Sequence, residues 1–171
     1  MDLKKFIRDV NDFPKPGVLF KDISPLLANG QALHKTIELI SEEAKDVDVI
    51  VGPDARGFLF GTPTAAKLSK PFIMVRKPGK LPGKVISKSY DLEYGNNILQ
   101  IQDGFIKPGQ TVAIVDDVLA TGGTLKAIIK LLKDQGAIVK KVILLLELEQ
   151  LNGRDFLKTE GDFDIVSLVK F

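Results

Sequence analysis

Apolar positions recur along the chain in two rhythms. Over residues 31–45 they fall at Leu33, Ile37, Ile40 and Ala44, the spacing of one helical face, with Asn29 where a cap belongs. A second helix is expected from about Phe58 to Leu68. A third is expected from about Gly123 to Gln135, with Leu125, Ile128, Ile129 and Leu132 on one face and Gly136 placed to end it. The other rhythm is the short apolar run. Val47–Val51, broken off by Gly52-Pro53, is one, and Phe72–Val75, Ile98–Ile101, Thr111–Val115, Lys141–Leu146 and Ile165–Val169 follow. Lys107-Pro108-Gly109 turns the chain before Thr111. Residues 3–10 predict a short helix. Residues 11–22 (NDFPKPGVLFKD), with two prolines and a glycine, predict an irregular arm.

Strands that are apolar runs and alternate with helices predict an α/β fold, a mostly parallel twisted sheet flanked by helices. The unit 111–146 should be a right-handed crossover. Ligands of such sheets sit at the carboxyl ends of strands, which directs attention to the residues just after Val51, Val75 and Val115.

Composition narrows the field. The 171 residues suit one domain with a real core. A net charge of +2, from 24 basic and 22 acidic residues, argues against a general nucleic-acid binder. With no cysteine, disulfides, thiol nucleophiles and cysteine metal sites are excluded. Met1–Phe6 carries no signal-like apolar run, and no stretch approaches the ~18 apolar residues of a membrane span, so a cytoplasmic soluble protein with no membrane partner is expected. The positive charge is local. Arg76, Lys77, Lys80, Lys84 and Lys88 share residues 76–88 with two prolines, two glycines and no acid. Three readings stand for this segment: a mobile lid, a solvated basic face and a nucleic-acid patch.

The richest stretch is Val115-Asp116-Asp117-Val118-Leu119-Ala120-Thr121-Gly122-Gly123-Thr124. Adjacent carboxylates in a loop after a strand suit a vicinal diol, because each ionised oxygen accepts from a hydroxyl. Ala120 to Thr124 are small, glycine-rich and hydroxyl-bearing, and the next helix offers unpaired N–H groups and a positive dipole end to an anion. A diol reader beside a monophosphate cradle has the shape of ribose 5-phosphate. The bland alternative is a strand-to-helix turn with two solvated acids. Arg56, at the ligand edge after Val51, is either a pyrophosphate partner, since its fork matches phosphate oxygens, or half of a surface salt bridge. His34, the only histidine, lies on a polar helix side and is assigned no role.

IVDDVLATGGT (114–124) resembles the phosphoribosyl pyrophosphate signature of the type I phosphoribosyltransferases. DFPKPGVLFKDI (12–23), GPDARGFLFG (52–61), VRKPGKLPG (75–83) and YDLEYG (90–95) narrow the resemblance to the adenine-specific members, over nearly the whole chain. The resemblance implies a Mg²⁺-dependent transfer of 5-phosphoribosyl from phosphoribosyl pyrophosphate to adenine, giving AMP and pyrophosphate, in a homodimer. It implies one domain over 1–171, with a base-binding N-terminal hood over 1–28, a flexible basic lid over 76–95 and the substrate-binding strand-loop-helix over 111–136. It places Asp116 and Asp117 on the ribose hydroxyls and Ala120, Thr121, Gly122, Gly123 and Thr124 on the 5-phosphate. Asp54, Ala55, Arg56, Arg76, Lys77 and Lys80 go to the pyrophosphate, with a cis peptide between Asp54 and Ala55. Val18, Leu19, Phe20, Lys21 and Leu148 go to the base. Main-chain groups of 18–21 would read the adenine edge, and Phe20 and Leu148 would sandwich the ring; without the resemblance both are simply core. The family usually has arginine where this chain has Lys21, which keeps the charge and loses the planar fork. Glu93 becomes the general acid or base, and a solvated loop acid is its plain alternative. Arg56 joins it as a catalytic residue. No protein metal ligand is implied, because Mg²⁺ rides on substrate oxygens and water. Transfer to hypoxanthine, xanthine or orotate stays open, as does a non-catalytic regulator that senses the activated sugar.

Overall fold

A computed structural model of the chain describes residues 1–92 and 95–171. Its centre is a five-stranded sheet, parallel throughout, in the order β4-β3-β7-β8-β9. These strands are β3 (Val49–Pro53), β4 (Phe72–Val75), β7 (Thr111–Leu119), β8 (Ile138–Glu147) and β9 (Asp164–Lys170). Successive side chains of a strand point to opposite faces, and here both faces are buried. Val112 and Ile114 of β7 enter one core, while Ala113 and Val115 enter the other. β8 divides in the same way, Val142 and Leu144 against Ile143 and Leu145. That is why these strands read as unbroken apolar runs. Each fully buried Ile or Leu contributes about 1.5–3 kcal/mol.

On one face lie α2 (Gly30–Ala44) and α3 (Arg56–Leu68). The Asn29 side chain accepts from the Ala32 N–H at 3.0 Å, so the expected cap is in place. On the other face lies α4 (Gly123–Asp134), ended by Gly136 at φ +77°. Beyond the four expected positions α4 also buries Ala127 and Leu131, because an antiparallel hairpin packs against its outer side. The hairpin is β5 (Val85–Leu92) and β6 (Gly95–Gln102).

Several expectations are corrected. Residues 3–10 hold only a short 3₁₀ turn, Leu3–Phe6, and then β1 (Arg8–Val10). The arm 11–22 is not wholly irregular: β2 (Phe20–Asp22) pairs antiparallel with β1. Gly52-Pro53 does not break β3, which runs on because Asp54 N–H, not Pro53, supplies the next bond, to the Val75 carbonyl at 2.9 Å. The basic segment is strand from Val85 onward, with Ile86 and Tyr90 on the core. β7 continues to Leu119, so Asp116 and Asp117 lie within a paired strand rather than in a loop. Also unread were α1 (Ser24–Leu27), near the end of the hood, and, between β8 and β9, a 3₁₀ turn (Glu149–Leu151) and α5 (Gly153–Lys158). Among the described residues no helix is long and apolar enough to cross a membrane.

Candidate functional site

The carboxyl ends of β3 and β7 open onto a cavity of about 350 Å³. β7 delivers Asp116 and Asp117, and the chain then turns through Ala120–Gly122 into α4. Gly122 makes that turn at φ +89°, a conformation L side chains rarely adopt, and a Cβ there would lie 3.2 Å from the Gly153 carbonyl oxygen. From β3 the chain enters α3 through a cis peptide between Asp54 and Ala55. Neither α3 nor α4 has a side-chain cap. Two helix N-termini with unpaired N–H groups therefore border one cavity, a strong setting for anions.

The two acids behave differently. Asp117 is 6% exposed and accepts from Arg56 Nε, so its charge is compensated. Asp116 Oδ1 accepts from the Asp117 N–H at 2.8 Å. Burial pushes the Asp116 carboxyl well above the ordinary carboxylate range, and the neighbouring Asp117 charge pushes the same way. Gly57 makes room for this packing: a Cβ there would stand 2.6 Å from Pro53 Cδ and 3.1 Å from Asp116 Oδ1.

Arg56 is also a wall of a second cavity, of about 580 Å³, under the hood. Phe13, Phe20, Leu27 and Leu59 make it largely apolar. Phe13 and Phe20 meet edge to face at 5.1 Å, and the Arg56 guanidinium lies 5.6 Å from the Phe20 ring. The polar element is an Arg8–Asp22 ion pair at 2.6 Å. Hydrogen bonds from Ser24, then Arg8, lower the Asp22 carboxyl to about 2. A polar cavity flanked by helix N-termini and an apolar one with aromatic walls thus share one arginine.

A model of the phosphoribosyl transferase domain matches residues 22–170. The chain belongs to the phosphoribosyl transferase family. It is 80% identical, over all 171 residues and the whole of the relative, to the adenine phosphoribosyltransferase of Mycoplasmopsis agalactiae. Its fold superposes with a TM-score of 0.92 on the crystal structure of the adenine phosphoribosyltransferase of Thermoanaerobacter pseudethanolicus, 47% identical, covering 99% of this chain and 98% of that one. The Saccharomyces cerevisiae adenine phosphoribosyltransferase, crystallised with an imino-altritol bisphosphate and adenine, matches at 36% identity and a TM-score of 0.88, over 98% and 96%.

Within this phosphoribosyl transferase the first cavity gathers Asp54, Ala55 and Arg56 of the set expected on the pyrophosphate with Asp116, Asp117, Ala120, Thr121, Gly122, Gly123 and Thr124, the set expected on the ribose and its 5-phosphate. Arg76, just past β4, stands beside that set: its Nε donates to Asp54 Oδ2 at 2.8 Å and its Nη1 to the Lys80 carbonyl at 3.1 Å. Lys77 and Lys80 are exposed and line neither cavity. Of the base set, Phe20 lines the second cavity. Val18 spends its N–H on Lys15 and its carbonyl on Phe13 within the turn. Leu19 is half-exposed, and the Lys21 side chain goes to Asp9 at 2.7 Å. Leu148 packs on the α2/α3 core and lines neither cavity. Glu93 lies outside the described residues.

Sequence reasoning missed Arg8, Asp22 and Leu59 as cavity residues, and it missed the support behind the Ala120–Gly122 turn. Glu147, 3% exposed, takes both Arg154 Nε at 3.0 Å and Nη2 at 2.6 Å, and the Ser167 hydroxyl at 2.7 Å. This fork holds α5 in place, with Gly153 so close behind the turn that a Cβ would come within 2.2 Å of the Ala120 oxygen. An acid and an arginine bracketing a glycine, E…GR, was the available signal.

Proposed function

We propose that this enzyme transfers the 5-phosphoribosyl group of phosphoribosyl pyrophosphate to adenine, giving AMP and pyrophosphate. The observation that carries the reading is the shared wall: Arg56 borders both a cavity with paired acids and helix N-termini and a cavity with apolar, aromatic sides. The first suits a phosphorylated sugar and the second a flat heterocycle, so the anomeric carbon falls where they meet. An identity of 80% over the full length of an adenine phosphoribosyltransferase supports the choice of base.

In this reading the α4 N-terminus and the Thr121 and Thr124 hydroxyls bind the 5-phosphate, and Asp116 and Asp117 bind the ribose hydroxyls. Arg56, with Arg76, Lys77 and Lys80 of the lid 76–95, stabilises the charge that builds on the departing pyrophosphate. The hood 1–28 covers the base, Phe20 stacks on it, and main-chain groups of 19–21 read its edge. The resemblance also assigns Val18 and Leu148 to the base, and they would have to move to reach it, since Val18 is tied into its own turn and Leu148 packs on the core. Wrong bases leave buried polar groups unpaired at about 1–3 kcal/mol each. Glu93 moves the proton on the base, and lid closure keeps water from the activated sugar. Among the described residues no three His, Cys, Asp or Glu are grouped to hold a metal. Asp54 and Asp117 are hard oxygen donors of the kind Mg²⁺ accepts, yet each is already paired with an arginine. Pyrophosphate and ribose oxygens with water therefore carry the ion, as Mg²⁺ favours. When bound, it neutralises leaving-group charge. The enzyme works as a cytoplasmic homodimer, which sedimentation and fractionation test.

The deciding experiment offers adenine, hypoxanthine, xanthine and orotate with phosphoribosyl pyrophosphate, with and without Mg²⁺. AMP formation that needs Mg²⁺ is the expected result. Turnover of hypoxanthine with none of adenine overturns the choice of base, and absence of any turnover overturns the enzyme.

A further inference from the structure

The hood is a hairpin of two three-residue strands, too little to hold a fixed shape alone. Its ends are anchored by Ile7 and Ile23, both in the core. Side chains of β2 alternate, so Phe20 and Asp22 line the second cavity and Lys21 faces away. The Lys21 side chain, 11% exposed, puts its ammonium 3.9 Å from the centroid of the Phe171 ring. Lys4 puts a second ammonium 4.4 Å from the same ring and donates to the Lys170 carbonyl at 2.7 Å. Phe171 is itself laced to the sheet rim. Its N–H donates to the Glu147 carbonyl and its carbonyl accepts from the Glu149 N–H, both at 3.0 Å. One aromatic ring fixed to the sheet therefore receives two cations from the N-terminal segment, one of them largely desolvated, where cation–π attraction is strongest.

We infer that Phe171 is a positioning residue for the base: by holding Lys21 and Lys4 it clamps the hood to the sheet and sets where Phe20 and Asp22 stand over the second cavity. The inference rests on the proposed base-binding role of that cavity. It also gives Lys21 a task on the outer side of the hood, where a compact ammonium over a ring suffices and a planar fork is not required.

The test compares Phe171→Ala, Phe171→Tyr and Lys4→Met with the native enzyme. In Phe171→Ala the KM for adenine should rise roughly tenfold, about 1.4 kcal/mol, while the KM for phosphoribosyl pyrophosphate and kcat stay within about twofold. Backbone hydrogen exchange over residues 8–10 and 20–22 should quicken. Phe171→Tyr should restore both, since it keeps the ring face, and Lys4→Met should show a smaller change in the same direction. Unchanged exchange in the hairpin of Phe171→Ala overturns the clamp, and so does an equal rise in both KM values or a Tyr variant no better than Ala. If the native enzyme does not turn over adenine, the proposed function fails, and hairpin exchange still decides the clamp.

Discussion

Asp116 and Asp117 are neighbours in sequence and unequal in the fold. Asp117 has Arg56 beside it, from 61 residues away. Asp116 has burial and a neighbouring negative charge, both of which disfavour its ionised form. Its carboxyl titrates well above the ordinary aspartate value of 3.8 in the folded chain. The stability it lends is therefore whole below that pH and is lost as the pH rises through the folded value. Asp116→Asn escapes that loss. At pH 7 it should melt about 2–4 °C above the native enzyme by calorimetry, for a gain of about 1 kcal/mol, while losing activity. The gap should close near pH 4; a gap of the same size at both pH values refutes the account. Arg56→Ala and Asp117→Asn should lower kcat/KM by roughly 10²–10³ and keep the native circular dichroism. Full turnover in both would dismiss the site assignment. The meeting of the acid pair and the glycine-rich turn at one cavity was legible because they lie within ten positions of one another. The partner of Asp117 was not, since no local pattern names a group so far along the chain.

Elements were legible where their period is long enough to count. α2 and α4 follow their apolar positions closely, caps included. α5 is six residues, less than two turns, and offers no period to read. β5 was hidden because Lys88 sits between Ile86 and Tyr90 on the core-facing side, ion-paired with Asp134 at 2.6 Å, and its charge masked the alternation. α5 matters through Arg154. Arg154→Ala leaves Glu147 buried without its cation. Because the arginine is partly exposed, the expected cost is about 2–4 kcal/mol rather than the full penalty of a sealed pair. Glu147 is held below 4.5 in the fold, chiefly by Arg154, so this contribution is present above that value and fades as the pH falls through the folded one. The stability difference between variant and native enzyme, followed by urea unfolding, should shrink towards acid pH. The KM for phosphoribosyl pyrophosphate should rise, because Gly153 no longer backs the turn at Ala120. An unchanged KM in a destabilised variant would confine α5 to a structural part.

At the scale of the whole molecule, ligand binding and folding are linked, since both cavities exist only when β3, β7 and the hood are assembled. AMP at a hundred times its Kd should add about 2.7 kcal/mol, raising Tm by about 5–11 °C. IMP at the same concentration should add less, and equal shifts would contradict selection of adenine. The amino-acid order by itself determined the alternation of strands and helices, the cap at Asn29, and the closeness of an acid pair to a glycine-rich turn at a helix start. Each of these depends on side chains and backbone groups a few residues apart, whose sterics and hydrogen bonds act locally. The tertiary structure alone decided that Arg56 stands between two cavities, that Arg8 and Asp22 border one of them, that Gly153 presses on Ala120, and that Phe171 meets Lys4 and Lys21. Those contacts join distant positions, and they come from how two cores close on a single sheet.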